Sequence, residues 1–137
     1  MIDSIQEQPI NVLSNASVTF LTDAVRTNSA TCCGWLQHEQ GSSQFTLTRC
    51  GIYEIEFNAN ITSVTTGTAS LAVRSNGEVL PGTQMDYVVA TAGAYRDVAA
   101  NRLVKVCGNA SKTITISNVG TIAVDIKNAN IIIKKVA

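Results

Sequence analysis

Apolar and polar residues alternate most cleanly over residues 50–64, CGIYEIEFNANITSV. Tyr53, Ile55, Phe57, Ala59 and Ile61 fall on one parity, and Glu54, Glu56, Asn58, Asn60 and Thr62 on the other. A period of two predicts a central strand with one core face and one unlike face. Gly51 stands just ahead of it, where a glycine relieves crowding or takes a backbone angle other residues avoid. Upstream, residues 17–25 alternate through Val18 and Phe20, residues 31–39 carry the single tryptophan, Trp35, and residues 44–48 place Phe45 and Leu47 on one face after a turn at 40–43.

Downstream, Ala69, Leu71 and Val73 alternate with Ser70, Ala72 and Arg74. Asn76-Gly77 then predicts a type I′ hairpin, both residues being suited to positive φ, with a return strand at Val79 and Leu80 stopped by Pro81-Gly82. Residues 85–94, centred on Tyr87, Val88 and Val89, and residues 95–106 predict further strands, as do Ile114 with Ile116 and the set Ile122, Val124 and Ile126. The chain closes with Ile131, Ile132 and Ile133 in succession, the mark of a strand buried on both faces; in a small antiparallel protein that second face is often covered by another subunit. No helical period and no internal repeat appear. About eight to ten short strands between turns predict an all-β sandwich or barrel over residues 17–137. Residues 1–16, polar and interrupted by Pro9, predict an arm ordered only when a partner holds it.

Composition narrows the function classes. At 137 residues the chain suits one domain, and ten basic residues balance ten acidic ones. No overall field therefore draws it to nucleic acid or an anionic membrane. Charged residues are only 15% of the chain, against roughly 25% in ordinary soluble domains, so part of the surface is expected to lie in an oligomer. No segment approaches the ~18 apolar residues of a membrane span, and the N-terminal residues lack a signal-peptide pattern, which predicts a cytosolic chain. In that setting Cys32, Cys33, Cys50 and Cys107 are expected as free thiols, with Cys50 and Cys107 buried.

The order of these elements resembles the C1q and tumour-necrosis-factor-like jelly rolls, especially the compact bacterial and phage versions that cap spore filaments or virion fibres. The likeness is carried by the aromatic early strand at 17–20, by Cys50-Gly51-Ile52-Tyr53 opening the long strand, by the hairpin from Leu71 through Asn76-Gly77 to Pro81-Gly82, and by the apolar closing strand at 130–136. It implies an antiparallel two-sheet sandwich and a homotrimer with inner sheets gathered about a three-fold axis. The chain departs from those relatives in having no Gly-X-Y collagen tract.

Candidate chemistry is sparse. Glu54 and Glu56 share a face, as the paired carboxylates of a glycosidase must be brought together. They read equally as solvated side chains or as trimer contacts, the latter requiring cations from Arg or Lys, a bound metal, water or protonation, and Lys134 and Lys135 are the candidate cations. Ile132 joins them as a candidate contact. His38 is the only histidine and lacks a nucleophile motif, so it reads as a polar residue near a turn beside Trp35. The cysteines lack zinc spacing and the glycine turns lack a phosphate loop, so no metal or cofactor is expected. Trp35, Tyr53, Tyr87 and Tyr95 are candidates for a sugar-stacking platform, though Tyr53 is claimed by the core pattern. Three N-glycosylation patterns, at Asn15, Asn60 and Asn109, read as chance in an Asn-rich chain.

The leading expectation is a non-enzymatic, trimeric jelly roll that decorates or projects from a phage capsid or virion, assembled in the host cytoplasm and attached through residues 1–16. The rival is a carbohydrate- or host-receptor-binding module of a virion or of a bacterial or spore surface, presenting residues 41–44 or 83–94 to a glycan or cell-surface receptor. A hydrolase stands third.

Overall fold

The computed structural model describes residues 1–27, 35–108 and 110–137. The expectations for Cys32, Cys33 and the glycosylation pattern at Asn109 lie outside these residues. Twelve strands are described: β1 (Ile2–Gln6), β2 (Ile10–Val12), β3 (Thr22–Arg26), β4 (Leu36–Gln37), β5 (Phe45–Leu47), β6 (Gly51–Thr62), β7 (Gly67–Ser75), β8 (Glu78–Val79), β9 (Met85–Val89), β10 (Arg96–Val106), β11 (Lys112–Asn118) and β12 (Val124–Lys135). None of the described residues forms a helix long and apolar enough to cross a membrane.

The strands form two antiparallel sheets. One runs β10-β6-β12-β1-β3, with β2 also beside β12, and the other β4-β5-β11-β7-β8, with β9 beside β7. The core lies between them. Tyr53, Ile55, Phe57 and Ile61 from β6 are buried as their parity predicts, and they meet Phe45, Leu47, Leu71, Val73, Ile114 and Ile116 from the second sheet. Phe20 packs edge-on against both Phe45 and Phe57, with ring centroids 5.5 and 6.3 Å apart. Each edge-to-face contact contributes about 0.5–1.5 kcal/mol beyond burial.

The hairpin at Asn76-Gly77 forms as expected, with φ of 51° and 84° between the paired Ser75 and Glu78. Residues 17–20 differ from expectation. Val18 and Phe20 are buried, but among the described residues the only ladder contact is an isolated bridge between Ser17 and Ser117, and the strand proper begins at Thr22.

Residues 1–16 depart most. Their first strand is no arm: β1 lies between β12 and β3, pairing Ile2 with Ile133 and Ser4 with Ile131 on one side and with Arg26 and Asp23 on the other. Val12 opposes Val124, and Ile2 and Val12 are core residues. The segment looks polar because only alternate residues face inward, and two of those, Ser4 and Gln6, are buried by satisfying hydrogen bonds rather than by apolar contact.

The closing strand also departs from a uniform pattern. Ile126 pairs with Ile61, but Ile131 pairs with Phe57, so β12 carries one extra residue between Lys127 and Asn130. Asn128 has φ of 53° there, as a β-bulge allows. The bulge changes parity: Val124 and Ile126 face inward before it, and Ala129, Ile131 and Ile133 after it. Ile132 is the outward residue of the isoleucine run and only half-buried.

Candidate interaction face

The face of the first sheet turned away from the core is set by the ladder registers. One row reads Asn101 on β10, Glu56 on β6, Ile132 on β12, Asp3 on β1 and Val25 on β3. The next reads Ala99, Asn58, Asn130, Ile5 and Thr22, and on the other side Leu103, Glu54 and Lys134 stand abreast. Leu103 is 55% and Val25 45% exposed. Glu54 and Glu56 therefore do share this face, with Ile132 beside them.

Lys134 and Lys135 separate. Lys134 Nζ lies 2.9 Å from Glu54 Oε1. Its hydrogen bond, more than its charge, holds the Glu54 carboxyl below the usual carboxylate range, with a hydrogen bond to Asn101 adding to the effect. The same bond raises the Lys134 ammonium above the usual lysine value. Lys135 is opposite Tyr53 in the ladder and so belongs to the other face, where its side chain approaches Gly51. Among the described residues Glu56 makes no ion pair.

Amides organise the rest of the face. Asn60 donates to Asp97, Asn128 donates to Asn60 Oδ1 at 3.0 Å, and Asn130 donates to Asp3. Small Ala99 opposite Asn58 leaves a shallow hollow bordered by Asn60, Asp97 and Asn128. Every side chain with charge or hydrogen-bonding capacity in this hollow is already engaged locally or open to solvent, and nothing here resembles a nucleophile with its base.

His38 lies beside the 38–42 turn, as expected, and is buried. Its Nδ1 is 2.7 Å from Asp23 Oδ1, its Nε2 is 2.9 Å from the Ser42 carbonyl oxygen, and its ring stacks on Phe45 at 4.0 Å. Ser4 donates to the same Asp23 oxygen, and Arg26 is 3.3 Å from the other. Serine and histidine thus both end on the aspartate instead of on each other, so among the described residues no serine is positioned to lose its proton to the imidazole. The cluster ties edge strand β3 to β1 and to the 38–42 turn. Nothing short of the fold reveals it, because its members are far apart in sequence.

The other candidates are also displaced. Trp35 and Tyr53 are core residues with centroids 5.3 Å apart. Arg96 lies over Tyr87 and Lys127 over Tyr95, at 5.8 and 4.1 Å. The aromatics therefore do not make one sugar platform. Cys50 and Cys107 are exposed free thiols, not buried ones: they sit just outside the ends of β6 and β10, past the last core-facing pair. Much of 83–94 is strand β9, with Met85 and Val89 buried. No group of three or more His, Cys, Asp or Glu residues that could hold a metal occurs among the described residues.

No family model matches the sequence, and comparison with curated proteins finds no match. Solved structures do match. The globular domain of zebrafish complement 1qA protein superposes with a TM-score of 0.66 at 12% identity, covering 96% of this chain and 94% of that one. Eiger TNF from S. frugiperda gives 0.68 at 11% identity, covering 100% and 92%. Murine APRIL gives 0.58 at 13% identity, covering 92% and 96%. At such identities the likeness concerns architecture: this chain is similar in fold to the C1q and TNF domains, an antiparallel two-sheet jelly roll.

Proposed function

We propose that the protein is a non-enzymatic structural component, a homotrimeric jelly roll that decorates or projects from a phage capsid or virion. The observation that supports self-association is the outward face of the β10-β6-β12-β1-β3 sheet. Apolar side chains recur on it from strand to strand, at Leu103, Ile132, Ile5 and Val25. Its central carboxylate at Glu54 already has a lysine partner. Gathering three such faces would bury Ile132 and Leu103 and would bring Glu54 in already paired with Lys134, while Glu56, which has no ion pair among the described residues, would need a cation, water or protonation at the contact. Attachment to a particle would be made by a folded surface, since β1 and β2 are part of the sheet.

Native mass spectrometry tests this reading. A species of three times 14.5 kDa is expected, and Ile132→Lys with Leu103→Asp should shift it to monomer without loss of β-sheet circular dichroism. A wild-type monomer at tens of micromolar would sink the trimer. Detection of the chain in purified virions would test the particle assignment.

A second reading, a carbohydrate- or host-receptor-binding module of a virion or of a bacterial or spore surface, is favoured by one feature of the opposite sheet. Gln44, in the 41–44 turn region, borders a hydroxyl-lined hollow there. Retention of the intact protein on a glycan array would favour this reading over a purely structural one.

A further inference from the structure

We infer that the outward face of the β4-β5-β11-β7-β8 sheet carries a binding site for an acidic sugar, centred on Arg74, with the guanidinium taking the carboxylate and the surrounding hydroxyls taking ring hydroxyl groups. The inference rests on the carbohydrate-binding reading and names its ligand class. Arg74 sits at mid-sheet, with Thr115 opposite it on β11 and Val79 opposite it on β8. It borders a hollow with Ser17, Gln44, Thr113, Thr115 and Ser117. No acidic residue lines that hollow.

Two features make the arginine unusual. Its Nε is shielded from solvent and has no hydrogen-bond partner, and among the described residues Arg74 takes part in no ion pair. The other arginines of the strands are engaged: Arg26 with Asp23 and the His38 carbonyl, Arg96 over Tyr87, and Arg102 with the Pro81 carbonyl. A guanidinium is a planar fork of five donors that fits a carboxylate or a phosphate with two parallel bonds. The shielded Nε is out of reach of a ligand, so the two terminal nitrogens, which are not shielded, are the donors that would meet an oxyanion with two parallel bonds.

The neighbouring hydroxyls favour a sugar over a bare ion. Ser17 Oγ lies 2.9 Å from Ser117 Oγ, which lies 3.3 Å from Thr115 Oγ1. Such a chain can both donate and accept, as the hydroxyls of a sugar ring require, whereas an inorganic anion needs donors alone. With no aromatic residue lining the hollow, a single site would be weak, and repetition of the site on an assembly would supply avidity. The hollow lies on the sheet opposite the proposed self-association face, so trimer formation leaves it open.

The test is titration of the intact protein, followed by amide NMR, with sialyllactose, lactose and inorganic phosphate. Sialyllactose should move the Arg74, Thr115 and Ser117 resonances with millimolar affinity, at least tenfold tighter than lactose. Arg74→Gln should weaken sialyllactose at least tenfold, and Arg74→Lys should retain part of it, with the remaining spectrum unchanged as a check on folding. Phosphate binding as tightly as sialyllactose would replace the sugar site with a simple anion site and overturn the inference. Equal binding of lactose and sialyllactose, unaffected by Arg74→Gln, would overturn it while leaving a carbohydrate-binding module standing. Absence of binding to all three, together with an empty glycan array, would remove both.

Discussion

A Cβ at position 51 would stand 2.6 Å from the Ala137 carbonyl oxygen and would also meet the Lys135 side chain. The lysine can move, but the carbonyl is held by Ile52 N at 3.1 Å. With φ at +153° as well, Gly51→Ala is expected to destabilise the fold by about 1–3 kcal/mol through overpacking and backbone strain, measured by denaturant unfolding. Glu54 and Lys134 set a pH dependence. Because the folded state holds Glu54 below its usual range, its stabilising effect is complete above the ordinary glutamate value of about 4.3 and is lost as pH falls below that value and through the depressed one. Because Lys134 is raised, its effect is complete below the ordinary lysine value and is lost only as pH rises past about 10.4. Thermal melts should therefore show the difference between wild type and Glu54→Gln shrinking in acid and steady between about pH 5 and 9. Both glutamates could be placed on one face from parity alone. Which lysine reaches Glu54 could not, because the bulge shifts the register of β12 by one residue.

The elements carry a sharper lesson in β12. Asn128 is the extra residue of the bulge, so deleting it should let the strand run regularly with Ile126, Ala129, Ile131 and Ile133 still inward. The expected outcome is a folded protein weakened by about 1–2 kcal/mol through lost Asn128 hydrogen bonds. Deleting Ile132 should instead turn Ile133 outward and abolish cooperative unfolding. A chain that folds equally well after either deletion would show that the register is not fixed by the core. The hairpin at Asn76-Gly77 was legible because its backbone requirement is local. The strand at 2–6 was not, because two of its inward residues, Ser4 and Gln6, are polar, and Ser4 is satisfied by Asp23, which lies on a different strand.

For the whole molecule, removal of residues 1–16 discriminates between an arm and a structural strand. Loss of β1 and β2 would strip the β12 edge of its pairing from Val124 to Ile133 and leave β3 without a neighbour. The truncated chain is expected to be insoluble or unfolded by circular dichroism, whereas a detachable arm would leave the spectrum and melting midpoint intact. Exposed strand edges of that length are also sites of aggregation.

The sequence by itself determined the all-β class, the core parity of the strand at 51–62, the type I′ hairpin and the shared face of Glu54 and Glu56, because each follows from spacing along a single stretch of chain. Only the tertiary structure decided the place of residues 1–16, the pairing of Glu54 with Lys134 rather than Lys135, the burial of His38 against Asp23 and the isolation of Arg74 among hydroxyls. Those depend on which strands become neighbours and in what register, and that is settled by the closing of the two sheets over one core.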